Sequence, residues 1–378
     1  MSKTRSTTRS RGSVGEFAGV GRRSTNVRED VKISELSNFK MMGQGEYAVV
    51  YSAKWKDQPE GEREVAVKVL KKEHLGAGGP AEDMRAEAQI LSKLNNNPGT
   101  VNIFASGDTE DGRPFFIMEK LSGVTLAPRI SGTTDYLKRL EMVTSLARIF
   151  ESLHRGAATN GKKVLHRDLK PANVGVTPST GELRLLDFGL VRLLHDGEER
   201  LSEASPPDPP PKDAPPLPPM TPTRGGRKGK KQAFPKSRTM SGDSLFDITG
   251  NTGSLRYMAP EVARHEHYNH KCEIYSFGVM MFQMIEQKLP FARKNPRIMM
   301  EQVFSNGHWR EPLNKAYWPF GLDELMENCW HPNIDERPEF KEIVEKLTEV
   351  SRAVTEARAE RVKSAGCLSC LVSMGNKP

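Results

Sequence analysis

His166-Arg-Asp-Leu-Lys-Pro-Ala-Asn173 combines three kinds of side chain that a single reaction would need. The carboxylate of Asp168 can orient and deprotonate a hydroxyl group. The ammonium group of Lys170 can neutralise charge on a phosphoryl group during transfer. The amide oxygen of Asn173 is a hard ligand of the kind that Mg²⁺ prefers. The stretch therefore predicts a loop that transfers phosphoryl groups to hydroxyls.

A second short motif, Asp187-Phe-Gly189, follows this loop after the apolar strand-like run Leu183–Leu186. Its aspartate offers a second oxygen ligand for Mg²⁺, next to a flexible glycine. Either motif can arise by chance, but both at this spacing, downstream of the two features described next, point to one active site.

A turn with two glycines comes early in the chain, in Gly43-Gln-Gly-Glu-Tyr-Ala-Val-Val50. Glycines let a hairpin lie close over phosphate groups and offer backbone N–H groups to them. Alone this is a weak signal, because turns with two glycines are common, and the place of a third glycine is taken by Ala48.

A lysine lies within an apolar strand-like run, Val65-Ala-Val-Lys68. An unpaired charge in a buried strand is costly, so Lys68 needs anionic partners. Phosphate groups and the carboxylate of Glu87, on the next predicted helix, would supply them. The alternative is a surface lysine on an edge strand.

The order of predicted elements gives the fold class, α+β with two lobes. Residues 34–121 form a small β-rich lobe with one main helix and a connecting hinge, and residues 122–348 form a larger, mostly helical lobe. Residues 349–378 hold the end of the last helix and a tail. The individual predictions are strands at Ala48–Trp55, Glu64–Leu70 and Pro114–Met118, and helices at Ala81–Leu94, from near Asp135, at Lys271–Glu286 and from Pro338 to about Lys363.

From about Phe39 to Phe340 these motifs resemble the eukaryotic protein kinase family. The resemblance includes Ala259-Pro-Glu261 and implies that Glu261 forms a buried ion pair with Arg337. Cys329-Trp330 followed by Arg337-Pro-Glu-Phe340 is similar to the tyrosine-kinase-like group. Within it, Lys170 marks a serine/threonine enzyme.

The resemblance implies that ATP binds between the lobes with Mg²⁺, and that the substrates are Ser/Thr-containing proteins. Asp168 would accept the substrate hydroxyl proton, with Met118 at the gatekeeper position. The implied catalytic residues are Asp168, Lys170, Lys68 and Glu87, and the implied metal ligands are Asn173 and Asp187. The implied nucleotide-binding residues are Gly43, Gln44, Gly45, Glu46, Ala48, Val50, Ala66, Lys68, Met118, Glu119, Leu121, Asn173 and Asp187.

Three positions depart from the family pattern. Ala48 replaces the third glycine and stiffens the hairpin, and Ser254 stands where threonine is usual. Glu273 replaces an aspartate that anchors the catalytic loop, and its extra methylene predicts looser geometry there. None of the three removes a phosphate or metal ligand.

Two rival functions remain. A pseudokinase or scaffold that binds ATP and partners would be marked by loss of Lys68, Asp168 or Asp187, and all three are present. A dinucleotide-binding dehydrogenase would need an acidic residue beyond the glycines at the end of a second parallel strand, where this chain has a lysine.

His166-Arg167 predicts control by phosphorylation, because the resemblance places Arg167 near the activation loop, where a phosphate would balance its charge. We expect the modified residue between Ser237 and Ser254, with Thr249 and Thr252 as the leading candidates.

Low-complexity segments flank and interrupt this predicted domain. Residues 1–33 read as a disordered basic arm, and residues of about 196–244 as a Pro-rich and basic insert in the activation segment. Its Pro-Pro-Leu-Pro-Pro run (215–219) would suit an SH3 or WW groove; the alternative is a plain spacer. We expect no nucleic-acid partner, although the formal net charge is +8.

The four cysteines form no convincing disulfide framework, so a cytoplasmic location is expected. Cys367 and Cys370 follow a basic helix and are candidates for acylation, which would add a peripheral membrane contact. The alternative is two cysteines in a frayed tail.

Overall fold

The structure, a computed structural model, describes residues 27–57, 61–76, 79–95, 97–121, 125–177, 179–194, 255–264, 266, 268–292, 294–305 and 310–374, the last eleven by their backbone alone. The predicted α+β fold with two lobes is confirmed. The N-terminal arm up to residue 26 and the Pro-rich insert lie outside the described residues.

The N-terminal lobe is a five-stranded antiparallel sheet with the strand order β1-β2-β3-β5-β4 and one helix beside it. Its elements are β1 (Leu36–Gln44), β2 (Ala48–Asp57), β3 (Gly61–Leu70), α1 (Pro80–Lys93), β4 (Ile103–Asp108) and β5 (Pro114–Glu119), with 3₁₀ turns at Ile33–Glu35 and Lys72–His74.

The side chains of strand β3 alternate between the two faces of the sheet. Its valines Val65, Val67 and Val69 alternate along the strand and pack into a cluster on one side of the sheet. The residues between them point to the other side, where Leu70 joins the core that includes α1. Lys68 therefore faces the cleft side because of the two-residue period of the strand.

Helix α1 begins at Pro80, directly after Gly79, which has a φ of 80°. Its buried face includes Met84, Glu87 and Leu91, spaced as one side of a helix requires. A carboxylate in this apolar face needs a cationic partner, and the position of Glu87 thereby ties the helix to the sheet.

The C-terminal lobe is built mainly from helices, with two antiparallel strand pairs, β6 with β9 and β7 with β8. Its helices are α2 (Leu126–Gly132), α3 (Tyr136–Arg155), α4 (Pro260–Ala263), α5 (Lys271–Glu286), α6 (Pro296–Ile298), which continues as a π-helical segment (Met299–Ser305), α7 (Leu322–Cys329) and α8 (Phe340–Met374). Its strands are β6 (Lys163–Leu165), β7 (Val174–Val176), β8 (Leu183–Leu185) and β9 (Arg192–Leu194), and its 3₁₀ turns are Ala157–Thr159, Pro171–Asn173, Lys315–Tyr317 and Ile334–Glu336.

Helix α5 is buried around most of its circumference, as its apolar sequence predicts. Aromatic rings from three helices meet beside it. The ring of Phe340 stacks on that of Phe150 with centroids 5.2 Å apart, and contacts that of Phe277 edge-on at 5.4 Å. These contacts fix α3, α5 and α8 as the frame that carries the loops of the cleft.

Three sequence-based boundaries need correction. Helix α2 precedes the point near Asp135 where the helical part was expected to begin, and Asp135 instead caps α3 by accepting a hydrogen bond from the N–H of Leu137. The last helix starts at Phe340 and runs to Met374, beyond the expected end near Lys363. The third correction concerns the N-terminal arm.

Residues Val27–Val31, here called the edge segment, belong to the folded lobe and not to a disordered arm. Arg28 exchanges backbone hydrogen bonds with β4: its N–H donates to the carbonyl of Phe104, and it accepts from the N–H of Ser106, each at 3.0 Å. Val31 is 2% exposed. The edge segment thus pairs with the outer strand of the sheet, a contact that composition alone does not predict.

Gly107 is what allows the edge segment to approach β4. A Cβ atom built at Gly107 would lie 2.1 Å from the carbonyl oxygen of Val31, a contact that no side chain can make. We expect Gly107→Ala to lower the free energy of unfolding by about 1–3 kcal/mol, since a methyl group must displace backbone. Urea denaturation of the purified protein measures this change.

The matched control is Gly132→Ala in α2, where a Cβ atom would meet nothing within 4 Å. This variant should match or slightly exceed the wild type in stability. Equal stability of the Gly107 and Gly132 variants would contradict the role of the edge segment.

Candidate active site

The loop between β6 and β7 brings together three of the predicted site residues. Oδ2 of Asp168 accepts hydrogen bonds from Nζ of Lys170 at 2.6 Å and from Nδ2 of Asn173 at 2.8 Å. Nδ2 of Asn173 also donates to the backbone carbonyl of Asp168 at 2.9 Å. A carboxylate, an ammonium group and an amide therefore form one hydrogen-bonded group at the cleft.

Three more predicted residues form a second group, here called the three-charge cluster. Nζ of Lys68 lies 2.8 Å from both carboxylate oxygens of Glu87 and 2.9 Å from Oδ1 of Asp187. Strand β3, helix α1 and the segment after β8 thus meet at one ammonium group. The side chains of Lys68 and Glu87 are 14% and 4% exposed, whereas that of Asp187 is 50% exposed.

The charges in this cluster shift one another's pKa values. The positive charge of Lys68 lowers the pKa of Asp187 to about 2, against the opposing effect of burial. Burial would lower the pKa of Lys68, but the carboxylates of Glu87 and Asp187 outweigh it and raise that pKa. Burial raises the pKa of Glu87, and the hydrogen bonds from Lys68 oppose this. Asp187 is therefore ionised at neutral pH and can serve as a cation ligand.

The segment around Asp187 is held to the catalytic loop by the residues on either side of it. Phe188 is fully buried, its N–H donates to Oε1 of Glu87 at 3.1 Å, and its ring lies 4.9 Å from that of His166. Nε2 of His166 is hydrogen-bonded to the carbonyl of Leu186 at 2.8 Å. These contacts fix the two groups relative to each other.

Two residues of the site have a left-handed backbone, Arg167 with a φ of 64° and Asp187 with a φ of 58°. Such conformations cost about 1–3 kcal/mol each for residues other than glycine, and they persist only where surrounding contacts determine them. Their presence in both loops indicates that packing imposes the geometry of the site.

Glu273, on α5, contacts the backbone of the catalytic loop. Its Oε1 accepts from the backbone N–H groups of His166 at 2.6 Å and of Arg167 at 2.8 Å. Its Oε2 lies 2.6 Å from Nε2 of His154 on α3. The expectation of looser geometry at this position was wrong, because the longer side chain reaches both the loop and the histidine. Sequence reasoning missed His154, since no local pattern links it to a residue so far along the chain.

The predicted ion pair between Glu261 and Arg337 is confirmed. The two side chains are joined by two hydrogen bonds, Nη1 to Oε1 at 2.6 Å and Nη2 to Oε2 at 2.9 Å, and both are buried. Nε of Arg337 also donates to the carbonyl of His331 at 3.0 Å. The pair attaches α4, and so the end of the activation segment, to the helical lobe.

The glycine-containing turn lies between β1 and β2. The N–H of Gly45 donates to the carbonyl of Ala48 at 2.9 Å and closes the turn. Gln44, at the end of β1, and Glu46 lie on either side of Gly45. A Cβ atom at Gly43 would meet nothing within 4 Å. Packing within the described residues therefore does not require this glycine, and the open space is suited to a ligand that approaches the backbone.

The remaining predicted nucleotide residues line the adjoining strands and the linker. Ala66 of β3 lies opposite Met118 of β5, and Val50 of β2 lies opposite Lys68. The linker begins after Glu119, whose carboxylate accepts a hydrogen bond from Nδ2 of Asn102 at 3.0 Å. These residues were expected to bind the nucleotide, and the sheet register places them on the neighbouring strands β2, β3 and β5.

Leu121 completes the linker and is 7% exposed. Its side chain turns down onto the C-terminal lobe and reaches Gly175 of β7. Sequence reasoning did not single out Gly175, which lies two residues beyond the catalytic motif.

The two residues expected to hold Mg²⁺ fit that ion. Oδ1 of Asp187 bonds to Lys68, so Oδ2 is its free coordination atom, and the low pKa keeps the group charged. Nδ2 of Asn173 is directed to Asp168, which leaves the amide oxygen as its ligand atom. Carboxylate and amide oxygens with additional ligands from water and phosphate are the usual Mg²⁺ set.

Comparison with known proteins agrees with this geometry. A family model described as "Protein kinase domain" matches residues 36–206, and one described as "Protein tyrosine and serine/threonine kinase" matches residues 236–347. The gap between the two matches falls in the Pro-rich insert.

Several serine/threonine kinases are similar to this chain. Serine/threonine-protein kinase VIK of Arabidopsis thaliana is 27% identical over 323 residues, which are 85% of this chain and 61% of that protein. STY46 of the same plant is 25% identical over 340 residues (89% and 48%), and mitogen-activated protein kinase kinase kinase 7 of Drosophila melanogaster is 25% identical over 328 residues (86% and 39%). The chain spans less than two thirds of the length of each of these proteins.

A β-rich lobe, a helical lobe and the two charged groups between them together define a protein kinase. The chain belongs to the eukaryotic protein kinase family, and within it to the serine/threonine kinases of the tyrosine-kinase-like group.

The buried ion pair between Glu261 and Arg337 should contribute to the free energy of unfolding. Removal of one partner from such a pair leaves an uncompensated charge in the interior, so Arg337→Ala should lower the free energy of unfolding by about 3–5 kcal/mol. Urea denaturation followed by circular dichroism measures the change.

The control is Lys315→Ala, which breaks an exposed pair with Asp323 and should change stability by less than about 1 kcal/mol. If Arg337→Ala were no more destabilising than Lys315→Ala, the ion pair would have no structural role.

Proposed function

We propose that this protein transfers the γ-phosphate of ATP to serine and threonine hydroxyls of protein substrates. The observation that carries the proposal is the hydrogen-bonded group of Asp168, Lys170 and Asn173 beside the three-charge cluster. One group suits a hydroxyl substrate and the other suits a nucleotide with its metal ion.

Asp168 is the group that accepts the hydroxyl proton. Its Oδ2 accepts hydrogen bonds from Lys170 and Asn173. Its Oδ1 accepts no hydrogen bond within the described part of the chain, and the two bonds to Oδ2 fix its orientation. A positioned carboxylate at hydrogen-bond distance from the substrate hydroxyl orients it for attack as the proton moves to Oδ1. Lys170, adjacent to the same carboxylate, offsets negative charge that develops on the phosphoryl oxygens.

The three-charge cluster binds the phosphate end of ATP. Lys68 holds the α- and β-phosphates and is itself fixed by Glu87. Asp187 and Asn173 provide the oxygen ligands for Mg²⁺, which when bound neutralises charge on the phosphates. The glycines at 43 and 45 let the turn between β1 and β2 lie close over these groups.

The preference for serine and threonine rests on Lys170 and on similarity to VIK and STY46, both of which are called serine/threonine-protein kinases. The competing proposal, a pseudokinase or scaffold, lacks a supporting feature. Lys68, Asp168 and Asp187 are all present and all have partners within one cleft.

Replacement of the proton acceptor tests this function directly. Asp168→Asn keeps the size of the side chain but removes its basicity, so incorporation of radiolabelled phosphate from Mg²⁺-ATP into a generic Ser/Thr substrate should fall by about 100-fold or more. Binding of ATP should persist, because the three-charge cluster is unchanged.

The matched control is Asp111→Asn in the turn between β4 and β5, where the carboxylate accepts hydrogen bonds from the side chains of Thr109 and Arg113. It should transfer phosphate as the wild type does. Equal incorporation by the Asp168 variant and the wild type would overturn the catalytic assignment.

We further propose activation by phosphorylation within the segment that precedes Ala259. The guanidinium group of Arg167 donates to the carbonyl of Leu190 at 2.7 Å and to the hydroxyl of Tyr268 at 2.7 Å, and so links the start of that segment to a residue that follows α4. A phosphoryl group would add charge-assisted hydrogen bonds to this link. The candidate residues Thr249 and Thr252 lie outside the described residues.

The double variant Thr249→Ala/Thr252→Ala should have an activity at least about tenfold below that of the wild type, because neither residue can then be phosphorylated. Phosphopeptide mapping of the wild type should locate phosphate at one of these two residues. Full activity of the double variant would exclude them as activating sites.

Two partner assignments remain proposals. An SH3 or WW domain would bind the Pro-Pro-Leu-Pro-Pro run, which lies outside the described residues. Acylation of Cys367 or Cys370 would attach an otherwise cytoplasmic protein to a membrane, supported by the basic residues that precede them. Among the described residues, no helix is both long and apolar enough to cross a bilayer.

A further inference from the structure

A cavity of about 490 Å³ lies in the N-terminal lobe between the edge segment, α1 and the hairpin of β4 and β5. Its floor is apolar and includes Met84 and Ala88 of α1 and Phe115 of β5. Val27, the first described residue of the chain, lines it as well. The volume falls within the range of about 300–1,000 Å³ that ligand-binding sites occupy. The cavity is therefore large enough to hold the side chains of a docked segment.

The rim of the cavity is charged, with three carboxylates and two cationic groups among its described residues. Arg85 of α1 and Asp108 of β4 form an ion pair, with Nη2 and Oδ1 2.8 Å apart, and so neutralise each other. Glu29 and Asp30 of the edge segment are exposed, and within the described part of the chain their carboxylates form no ion pair or hydrogen bond. Lys93 is the second cation. An apolar floor with an acidic excess at its rim suits an occupant that has both apolar and basic side chains.

The first 26 residues of the chain, which lie outside the described residues, have this composition. They contain six basic residues and one acidic residue. Phe17 is their single aromatic residue, Val20 follows it, and Arg22 and Arg23 come shortly before Val27. The chain from Val20 to Val27 spans at most about 25 Å when it is fully extended. Because Val27 itself lines the cavity, the residues just before it can reach both the floor and the rim.

We propose that residues 17–23, here called the docking segment, occupy this cavity within the same molecule. Phe17 and Val20 lie on the apolar floor, and the two arginines lie beside the acidic rim. A segment on so short a tether has an effective concentration of about 1 mM at its site. An intrinsic dissociation constant of about 0.1 mM is therefore enough to keep the cavity mostly occupied.

The docking segment contacts the helix that positions the three-charge cluster. Met84 and Ala88 lie on either side of Glu87 in α1, and Glu87 accepts hydrogen bonds from Lys68 at 2.8 Å. An occupant that packs on both residues restrains the helix in the position where this contact forms. We expect docking to favour phosphate transfer, and this consequence, unlike the docking itself, rests on the proposed function.

Docking is tested with a fluorescein-labelled synthetic peptide of residues 12–26 and the full-length protein. In the variant Phe17→Ala/Val20→Ala the cavity is vacated, so fluorescence anisotropy should give a dissociation constant of about 0.1 mM or lower. The wild type should bind the peptide about tenfold more weakly, because its own docking segment competes. Adding Ser92→Arg, which places a long cationic side chain at the lining of the cavity, should weaken binding to the vacated variant by about tenfold or more.

Two further variants, each made in the vacated protein, test the site and serve as its control. Glu29→Gln/Asp30→Asn should weaken binding of the peptide by about two- to fivefold, which is the effect of exposed ion pairs. Ala359→Arg adds the same side chain as Ser92→Arg at an exposed position of α8 and should leave binding unchanged. If circular dichroism shows that the Ser92 variant does not fold, the acidic pair carries the test.

The docking is refuted if the wild type binds the peptide as tightly as the vacated variant, if both rim variants bind normally, or if a peptide of scrambled sequence binds equally well. A wild-type dimer that Phe17→Ala/Val20→Ala converts to a monomer in sedimentation velocity would place the segment in a second copy and contradict the intramolecular contact.

The effect on catalysis has a separate outcome. Saturating peptide should raise phosphate transfer by the vacated variant about threefold, since it restores the restraint on α1. Transfer that saturating peptide leaves unchanged would refute this restraint. If no sample transfers phosphate, the proposed function fails, and the binding measurements still decide whether the docking segment occupies the cavity.

Discussion

The contact of Lys68 with Glu87 and Asp187 is the interaction on which the cleft depends. It joins the central strand of the N-terminal lobe, the one helix beside that sheet, and the loop of the C-terminal lobe that carries a proposed metal ligand. Two carboxylates around one ammonium group leave a net negative charge in a partly buried place. Such a cluster is costly without a further cation, and a metal ion with its nucleotide would complete it.

The catalytic loop is held by a comparable arrangement on the other side of the cleft. Glu273 binds the loop backbone with one carboxylate oxygen and His154 with the other. Because the acid is fixed at both oxygens, Arg167 is kept in a left-handed conformation that would otherwise relax. The site is thus formed by charged groups whose positions are determined from below by α3 and α5 and from above by β3 and α1.

Local patterns in the sequence predicted much of this site. The two-residue period of β3 turns Lys68 to the cleft, and the helical period of α1 brings Glu87 to the same side, so their contact follows from elementary geometry. Contacts set by tertiary structure could not be predicted in this way. The reach of Glu273 to His154 depends on the distance between two helices, and the fit of the edge segment depends on the absence of a side chain at Gly107.

We propose that the three-charge cluster is a binding site for ATP with Mg²⁺. Isothermal titration calorimetry with ATP, in Mg²⁺ and in EDTA, tests it for the wild type and for Asp187→Asn. We predict that Mg²⁺ strengthens binding to the wild type by about tenfold or more and that Asp187→Asn loses most of this gain. Equal ATP affinity of the wild type in Mg²⁺ and in EDTA would contradict the assignment of this cluster as a site for ATP with Mg²⁺.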